Sequence, residues 1–185
     1  MIIGVDEVGR GCYAGPVCVA AVAWPNDRRI KGLDDSKKVL RADRAELVFR
    51  IRKKALHIGI GWASAREIDA LGIWLALQLA ASRAIEQVPK QGAGIIADGN
   101  ARLLGDIPAS YIVKADTKIP AVMAASNVAK LARDTYMQQI DPHFPGYAFA
   151  SHVGYGTEQH KAMLAALGPC DLHRFSWRPV KAFVA

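Results

Sequence analysis

Four acidic residues stand at or near the ends of short apolar runs in the sequence. They are Asp6, Glu7, Asp98 and Asp116, and the runs before them cover residues 2–5, 93–97 and 111–113. Runs of this length and composition predict buried β-strands, and functional sites of α/β proteins form beside strand ends. Carboxylates from several strands would repel one another there unless divalent cations lay between them. Hard oxygen ligands favour Mg²⁺ or Mn²⁺.

The chemistry that four such carboxylates support is phosphodiester hydrolysis with two metal ions. Two ions about 4 Å apart activate a water molecule and stabilise the leaving oxygen. A single acid more often caps a turn or a helix. Asp6 and Glu7 are a stronger signal, because charge placed directly after an apolar strand is costly without a partner.

The composition favours a globular protein with a phosphate-bearing partner. The net charge of +7 comes from 24 Lys and Arg against 17 Asp and Glu, a balance that suits nucleic acid. The length of 185 residues with 51% hydrophobic residues predicts one domain over residues 1–185. Three cysteines without a CxxC pair predict no disulfide framework and fit a reducing cytoplasm. We find neither a long apolar span nor a signal-peptide pattern and expect no membrane contact.

Apolar periodicity predicts a mixed α/β sheet covered by helices. Strands are predicted at residues 2–5, 15–24, 57–63, 93–97 and 111–113, with a loop through Gly9-Arg10-Gly11 between the first two. Helices are predicted at residues 42–56, at 65–71 with Ser64 as the cap, and at 73–88, 120–140 and 158–167. The first helix is expected to carry Arg44, Arg50 and its other basic residues mainly on the side away from the core.

Ordered sequence blocks at compatible spacing resemble the ribonuclease HII family. The opening block is GVDEVGRG at residues 4–11, continued by AGPV at 14–17. The later blocks are LDDSKK at 33–38, DGN at 98–100, KADTK at 114–118, AASNVAK at 124–130, FPGY at 144–147, GYGT at 154–157 with His160, and GPC at 168–170 with His173 and Arg174. GRG alone is a weak signal, but the ordered set covers nearly the whole chain and is specific.

The resemblance implies an RNase H-like fold, with a mixed central β-sheet flanked by α-helices and a small C-terminal helical portion. It implies an endonuclease that hydrolyses the RNA strand of RNA–DNA hybrids. The same enzyme would cut duplex DNA on the 5′ side of an embedded ribonucleotide, leave a 3′-hydroxyl and a 5′-phosphate, and so remove misincorporated ribonucleotides. Asp6, Glu7, Asp98 and Asp116 would be catalytic and would hold two Mg²⁺ or Mn²⁺ ions, with Asp6 bridging both.

The resemblance also implies roles for substrate-binding residues. Gly9, Arg10 and Gly11 would contact the ribose 2′-hydroxyl through the backbone, because glycine removes the side chain that would hold the strand away. Tyr155, in preference to Tyr147, would stack on the sugar on the 3′ side of the junction. The expected phosphate contacts are Lys37, Lys38, Ser126 and Lys130.

Other residues of these blocks are less clearly assigned. Asp34, Asp35 and Asp134 are expected in turns or salt bridges rather than as metal ligands. His173 and Arg174 either contact nucleic acid or pack inside the protein, and the sequence leaves both interpretations open.

Three positions depart from the family pattern: Ala115 replaces a usual Gly, Val153 a frequent Lys, and Asn127 an aliphatic residue. Ala115 would matter only if its position required a positive φ. Val153 removes one phosphate contact, which should weaken binding more than chemistry. The effect of Asn127 is open.

Other functions are compatible with some of these features. A different metal-dependent DNA nuclease of similar fold, such as a junction resolvase, would not need a 2′-hydroxyl. A non-catalytic nucleic-acid-binding module would bind without metal and show no turnover. An enzyme of anionic metabolites is disfavoured, because the chain has no Walker-type loop and no GxGxxG motif. We expect a monomer; a replication clamp is considered as a partner, although residues 179–185 carry no clear clamp-binding motif.

Overall fold

A five-stranded mixed sheet lies at the centre of the structure, a computed structural model that describes residues 1–25, 30–99 and 103–184. Its strands are β1 (Ile2–Val8), β2 (Val17–Trp24), β3 (His57–Ala63), β4 (Gly94–Asp98) and β5 (Ser110–Ile112). The order across the sheet is β3-β2-β1-β4-β5. Strand β2 is antiparallel to both β1 and β3, whereas β4 is parallel to both β1 and β5. The predicted mixed sheet is confirmed.

Helices cover both faces of this sheet. They are α1 (Arg41–Lys54), α2 (Ala65–Leu71), α3 (Ile73–Ile85), α4 (Pro120–Ile140), α5 (Phe149–His152), α6 (Glu158–Leu167) and α7 (Arg178–Lys181). Helices α2 and α3 pack on one face, and α1 and α4 pack on the other. The short helices α5 and α7 were not predicted. No helix within the described ranges is long and apolar enough to cross a membrane.

Strand β2 links the two halves of the core. Its odd-numbered residues, from Val17 to Ala23, face the cluster under α3, and its even-numbered residues, from Cys18 to Trp24, face the cluster under α1 and α4. Side chains alternate across a strand, so a strand covered on both faces is apolar throughout. All eight residues of β2 are buried, which explains the continuous apolar run in the sequence.

Strand β1 is longer than predicted, and this changes the setting of the first two acids. Its pairing with β2 continues through Asp6, Glu7 and Val8, so the acids lie within the strand rather than after it. Pairing with β4 on the other side stops at Val5. The acids can therefore remain in an extended strand while their side chains face the opening where β1 and β4 separate.

The expected position of Arg44 on the outer side of α1 is wrong. Its side chain is buried and faces α4, where it forms a salt bridge with Asp134 at 3.6 Å. It also donates hydrogen bonds to the carbonyls of Ser36 and Val39, both at 2.8 Å. A buried guanidinium is tolerated when its donors find such partners.

Candidate active site

A cavity of about 230 Å³ opens where β1 and β4 separate. It is lined by Asp6, Glu7, Val8, Gly9, Arg10, Gly11, Ser36, Lys37, Asp98, Asp116, Ser126, Lys130 and Tyr155. This set includes the four acids and every preferred substrate-binding candidate except Lys38; Tyr147, His173 and Arg174 do not line it either. The cavity also adds Val8 and Ser36. Asn100, from the DGN block, lies outside the described residues.

The acids are brought together by three different segments. Asp6 and Glu7 lie near the end of β1, and Asp98 is the last residue of the parallel strand β4. Asp116 lies in a 3-10 turn formed by Ala115–Thr117, and the Asp98 Oδ1 accepts a hydrogen bond from the Ala115 N–H at 2.6 Å. The left-handed backbone conformation falls on Lys114, with φ 59°, and not on Ala115. The departure from Gly at position 115 therefore introduces no strain of this kind.

The carboxylates crowd one another in a buried setting. Burial, followed by the negative charge of Glu7, holds the pKa of Asp6 well above its usual value. Burial likewise raises the pKa of Glu7, although the nearby Arg10 acts in the opposite direction. Lys37 contacts Asp116 at 3.3 Å and Arg10 contacts Glu7 at 3.4 Å, so two cations partly offset the acids. A divalent cation would relieve the same repulsion, and the oxygen donors are of the type that Mg²⁺ and Mn²⁺ prefer.

Two of the four acids are paired with cations, Glu7 with Arg10 and Asp116 with Lys37. Among the residues that the structure describes, no group of three acidic, histidine or cysteine side chains stands ready to hold one ion. The ion pairs of Asp116 with Lys37 and of Glu7 with Arg10 account for part of this arrangement. The donor chemistry fits a divalent cation, and Asp6, Glu7, Asp98 and Asp116 are the described residues that would hold it.

Arg174 stabilises the Gly9-Arg10-Gly11 loop through hydrogen bonds from inside the protein. This guanidinium is fully buried and donates hydrogen bonds to the carbonyls of Gly9 at 2.6 Å, Arg10 at 2.9 Å and Gly15 at 2.9 Å. Of the two interpretations left open for Arg174, the structure supports internal packing. His173, which is also fully buried, packs inside as well.

Arg133 supports the same region from α4. It is fully buried and donates to the carbonyls of Pro16 and Val153 at 2.8 Å and of Ala14 at 3.1 Å. Gly9 has φ 88°, and a Cβ at this position would collide with the Arg133 side chain. The glycine is required here both by its backbone conformation and by this close approach.

Ser126 and Lys130 reach the cavity from one face of α4. The Ser126 hydroxyl lies 2.9 Å from the Ser36 hydroxyl, and the Lys130 ammonium donates to Asp134 at 2.8 Å. Asp134 therefore bridges Lys130 and the buried Arg44, as a structural acid rather than a residue of the cavity lining. Asp34 likewise accepts hydrogen bonds from the Asp35 backbone and from Lys38, which draws Lys38 away from the cavity.

The structure separates the two tyrosine candidates. Tyr155 lines the cavity with 38% of its surface exposed, and Lys130 lies 5.6 Å from its ring centre. Burial, followed by the nearby Cys12, raises the pKa of Tyr155 to about 12, so its hydroxyl stays protonated at neutral pH. Tyr147 is buried outside the cavity and donates a hydrogen bond to the Gly168 carbonyl at 2.7 Å.

Comparison with known proteins decides the family. The family model described as Ribonuclease HII matches residues 3–180. A ribonuclease HII of Verminephrobacter eiseniae is 48% identical over 180 residues, which are 97% of this chain and 86% of the relative. The chain belongs to the ribonuclease HII family. A second ribonuclease HII, from Paracidovorax citrulli, is 44% identical over 184 residues, 100% of this chain and 77% of that protein.

Solved structures confirm the RNase H-like fold. The structure of a PCNA:RNase HII complex from Archaeoglobus fulgidus matches with a TM-score of 0.79 at 26% identity, over 96% of this chain and 95% of that one. Ribonuclease H2 from Pyrococcus horikoshii matches with a TM-score of 0.76 at 22% identity, over 98% and 96% of the two chains. As a ribonuclease HII, the protein is a metal-dependent endonuclease that acts on the RNA of RNA–DNA hybrids.

Asn127 holds a loop of this ribonuclease HII in place, a role that the sequence did not indicate. Its side chain is fully buried, and its Nδ2 donates to the carbonyl of Asp34 at 2.8 Å and to that of Met123 at 2.9 Å. The first of these bonds ties α4 to the segment that carries Lys37. Val153 adopts φ 44° and is buried, so the position that often holds Lys in the family faces the interior here.

Three histidines of the ribonuclease HII pack behind Tyr155. The Cys170 N–H donates to His173 Nδ1 at 3.0 Å, so the hydrogen of His173 is on Nε2, 3.0 Å from His160 Nε2. His160 Nδ1 lies 2.9 Å from the Tyr155 carbonyl, and the His160 ring stacks on His152 at 4.2 Å. This chain of hydrogen bonds, from His173 to His160 to the Tyr155 carbonyl, requires neutral rings. If the Nε2 atoms of both His160 and His173 carried a proton, two donors would face each other.

We predict that the contribution of two buried histidines to the stability of the protein falls between pH 6.5 and about 4. Burial, above all, lowers the pKa values of His160 and His173 to about 4, whereas the unfolded chain titrates near 6.5. In this window these two histidines bind more protons in the unfolded state, so their contribution to the free energy of unfolding falls by about 2–4 kcal/mol as pH decreases. The raised pKa values of Asp6 and Glu7 act in the opposite direction in part of the same range, so the histidine contribution is assigned by comparison with variants. Denaturant unfolding of the wild type at pH 7.5, 6 and 5 measures the change.

Replacement of both buried histidines isolates their contribution. The double variant His160→Gln and His173→Gln should start from a lower stability but show a flatter pH dependence than the wild type. His57→Gln, at an exposed histidine, is the matched control and should keep the wild-type slope. An unchanged slope in the double variant would contradict the prediction.

Proposed function

We propose that this ribonuclease HII cuts duplex DNA on the 5′ side of an embedded ribonucleotide, besides acting on RNA–DNA hybrids. The observation that carries the proposal is that the four acids and the Gly9-Arg10-Gly11 loop line the same cavity. A loop that contacts the ribose directly beside the carboxylates couples recognition of the sugar to the position of the cut. Hydrolysis there leaves a 3′-hydroxyl and a 5′-phosphate, which suits removal of misincorporated ribonucleotides.

The loop is assigned to the ribose 2′-hydroxyl. Its glycines present backbone groups without a side chain that would hold the strand away. The hydrogen bonds from Arg174 to the Gly9 and Arg10 carbonyls support this assignment, because they define the shape of the loop before substrate binds. A preorganised loop does not have to be ordered when substrate binds, which favours discrimination between ribose and deoxyribose.

The remaining cavity residues are assigned to the sugar–phosphate backbone. Lys37, Ser126 and Lys130 would contact phosphates, which fixes the register of the duplex without reading its bases. The exposed face of Tyr155 would pack against the deoxyribose on the 3′ side of the ribonucleotide.

Asp6, Glu7, Asp98 and Asp116 are proposed to hold two ions, Mg²⁺ or Mn²⁺. When bound, the ions supply an activated water and stabilise the leaving oxygen. Lys37 and Arg10, which contact Asp116 and Glu7, are free to move to phosphate oxygens when these carboxylates take up metal. The same two cations thereby neutralise the acids before metal binds and the phosphates of the substrate after metal binds.

The wider setting is also proposed. We propose one domain over residues 1–185 that acts as a monomer, because the described residues of a single chain bring all the assigned site residues together. Three unpaired cysteines support a cytoplasmic location. The archaeal relative solved in a PCNA complex supports a replication clamp as a partner.

A matched pair of duplexes tests this proposal. We predict that a labelled DNA duplex with one ribonucleotide is cut only on its 5′ side, with Mg²⁺ or Mn²⁺ and not with chelator. An otherwise identical all-DNA duplex should be cut about 10⁴-fold more slowly, because a site built to bind a hydroxyl rejects the analogue that lacks it.

The outcomes separate the rival functions. Equal cutting of both duplexes would favour a DNA nuclease of similar fold, such as a junction resolvase. Binding without cutting in any metal would favour a non-catalytic module. Cutting of long hybrids but not of the single ribonucleotide would leave the family activity in place and remove the proposed specificity.

A further inference from the structure

An exposed tryptophan lies beside the proposed active site. Trp74 is the second residue of α3, and 51% of its surface is exposed. The Arg10 guanidinium lies 5.5 Å from the centre of the Trp74 ring and also contacts Glu7 at 3.4 Å. Arg10 thus connects the carboxylates of the cavity to an indole that the core does not use.

A second cavity, of about 300 Å³, separates Trp74 from the acids. Its lining residues are Glu7, Arg10, Lys37, Trp74, Leu77, Asp98, Gly99 and Leu103. Glu7, Arg10, Lys37 and Asp98 also line the first cavity, so the two form one groove. Within the described lining, Tyr155 borders only the first cavity and Trp74 only the second. Glu7 and Asp98, which border both cavities, therefore lie between these two aromatic residues.

The groove at Trp74 has the chemistry of a nucleotide backbone site. The half-exposed indole offers apolar surface, above a floor to which the buried Leu77 and Leu103 contribute. Arg10 and Lys37 offer positive charge at its border. A deoxyribose presents an apolar face and carries phosphates on both sides, so it matches both parts. An apolar ligand or an uncharged protein segment would match the apolar surface but not the positive charge at its border.

We propose that Trp74 packs against the deoxyribose of the DNA on the 5′ side of the cut, with Arg10 on the adjacent phosphate. The inference rests on the proposed function, in which Tyr155 holds the nucleotide on the 3′ side. A strand that passes over the carboxylates from Tyr155 leaves the groove past Trp74. The two aromatic residues then contact the strand on either side of the bond that breaks. Trp74 is a positioning residue for the part of the strand on the 5′ side of that bond.

Kinetics of Trp74 variants test the contact. Trp74→Ala should raise KM for the single-ribonucleotide duplex about tenfold, the scale of one aromatic contact to a nucleotide, and should change kcat less than about twofold. Trp74→Phe should recover most of the loss, because it keeps an aromatic face. Thermal unfolding should show that both variants fold, since the side chain is half exposed.

Phe49→Ala is the matched control. Phe49 is an aromatic residue on α1 that is also 51% exposed and also has a cation, Lys53, over its ring at 4.3 Å. It lines neither cavity, so its removal should leave KM unchanged. Equal losses for Trp74→Ala and Phe49→Ala, or no loss for Trp74→Ala, would overturn the inference.

Photocrosslinking determines the side of the strand. With p-benzoylphenylalanine at position 74 in an Asp6→Asn background, irradiation should label nucleotides on the 5′ side of the ribonucleotide. The same probe at position 49 should give no site-specific label. Labels on the 3′ side, or labels on neither strand, would refute the assignment of Trp74. Wild-type cleavage of the same duplex is measured first: its absence would contradict the proposed function, whereas its presence with a wrong label contradicts only this inference.

Discussion

Asp6→Asn should bind a ribonucleotide-containing duplex with near wild-type affinity and cleave it about 10³-fold more slowly or worse. Asp6 is buried, and the negative charges of both Glu7 and Asp98 act on its carboxyl group. It would hold metal together with Glu7, Asp98 and Asp116, and loss of one group that stabilises transition-state charge has effects on this scale. Binding should persist because the phosphate contacts come from other side chains.

The same substitution should not cost stability. The neutral amide removes the repulsion from Glu7 and Asp98, so the free energy of unfolding should stay equal or rise by up to about 1 kcal/mol. Single-turnover cleavage, fluorescence anisotropy and denaturant unfolding measure the three quantities. Asp171→Asn, at an exposed acid paired with Arg66, is the control for lost charge and should cleave normally. Near-normal cleavage by Asp6→Asn would remove Asp6 from the catalytic assignment.

The layers of the fold could be predicted because their signals are local. Strand β3 was predicted with its observed bounds, and α4 and α6 were predicted at residues 120–140 and 158–167. The capping box of Ser64 with Glu67 confirms the start of α2. Apolar periodicity and capping residues act over a few positions, so the sequence shows them directly. The predicted end of β1 was wrong because the true end depends on pairing with β2. The two acids interrupt the apolar pattern, so the sequence does not indicate that the strand continues through them.

The residues that support the candidate site could not be predicted in the same way. Arg44, Arg133 and Arg174 resemble surface residues in the sequence, yet all three are buried. The hydrogen bonds of all three go to backbone carbonyls, which every residue carries and no motif marks. The partners of Arg174 are more than 150 positions away in the chain. Burial of these cations is therefore a property of the assembled fold.

The sequence alone also could not decide which aromatic residue contacts the substrate. Both Tyr147 and Tyr155 lie in glycine-rich segments, and the sequence could rank them only through a family resemblance. The structure distinguishes them by burial and by the cavity that Tyr155 lines. The sequence did not indicate Trp74 as a site residue, because an aromatic residue near the start of an apolar helix usually packs in the core.

Arg174→Met should lower the free energy of unfolding by about 3 kcal/mol or more. The substitution leaves the carbonyls of Gly9, Arg10 and Gly15 without the donor that they share, and each buried unsatisfied group costs about 1–3 kcal/mol. Arg174→Lys should recover only part of the loss, because one ammonium cannot reproduce the planar fork of donors. Arg178→Met removes an exposed arginine of α7 and should be nearly neutral.

The loss should extend to the reaction, because the same carbonyls shape the loop assigned to the 2′-hydroxyl. At a temperature where circular dichroism shows Arg174→Met to be folded, kcat/KM on the single-ribonucleotide duplex should still fall about tenfold or more. Binding of an all-DNA duplex, which does not use that loop contact, should change much less. A variant whose activity falls only in proportion to its unfolded fraction would show that Arg174 stabilises the protein without positioning the loop. Arg174 would then be linked to catalysis only through folding, and the loop would have to be held in shape by other contacts.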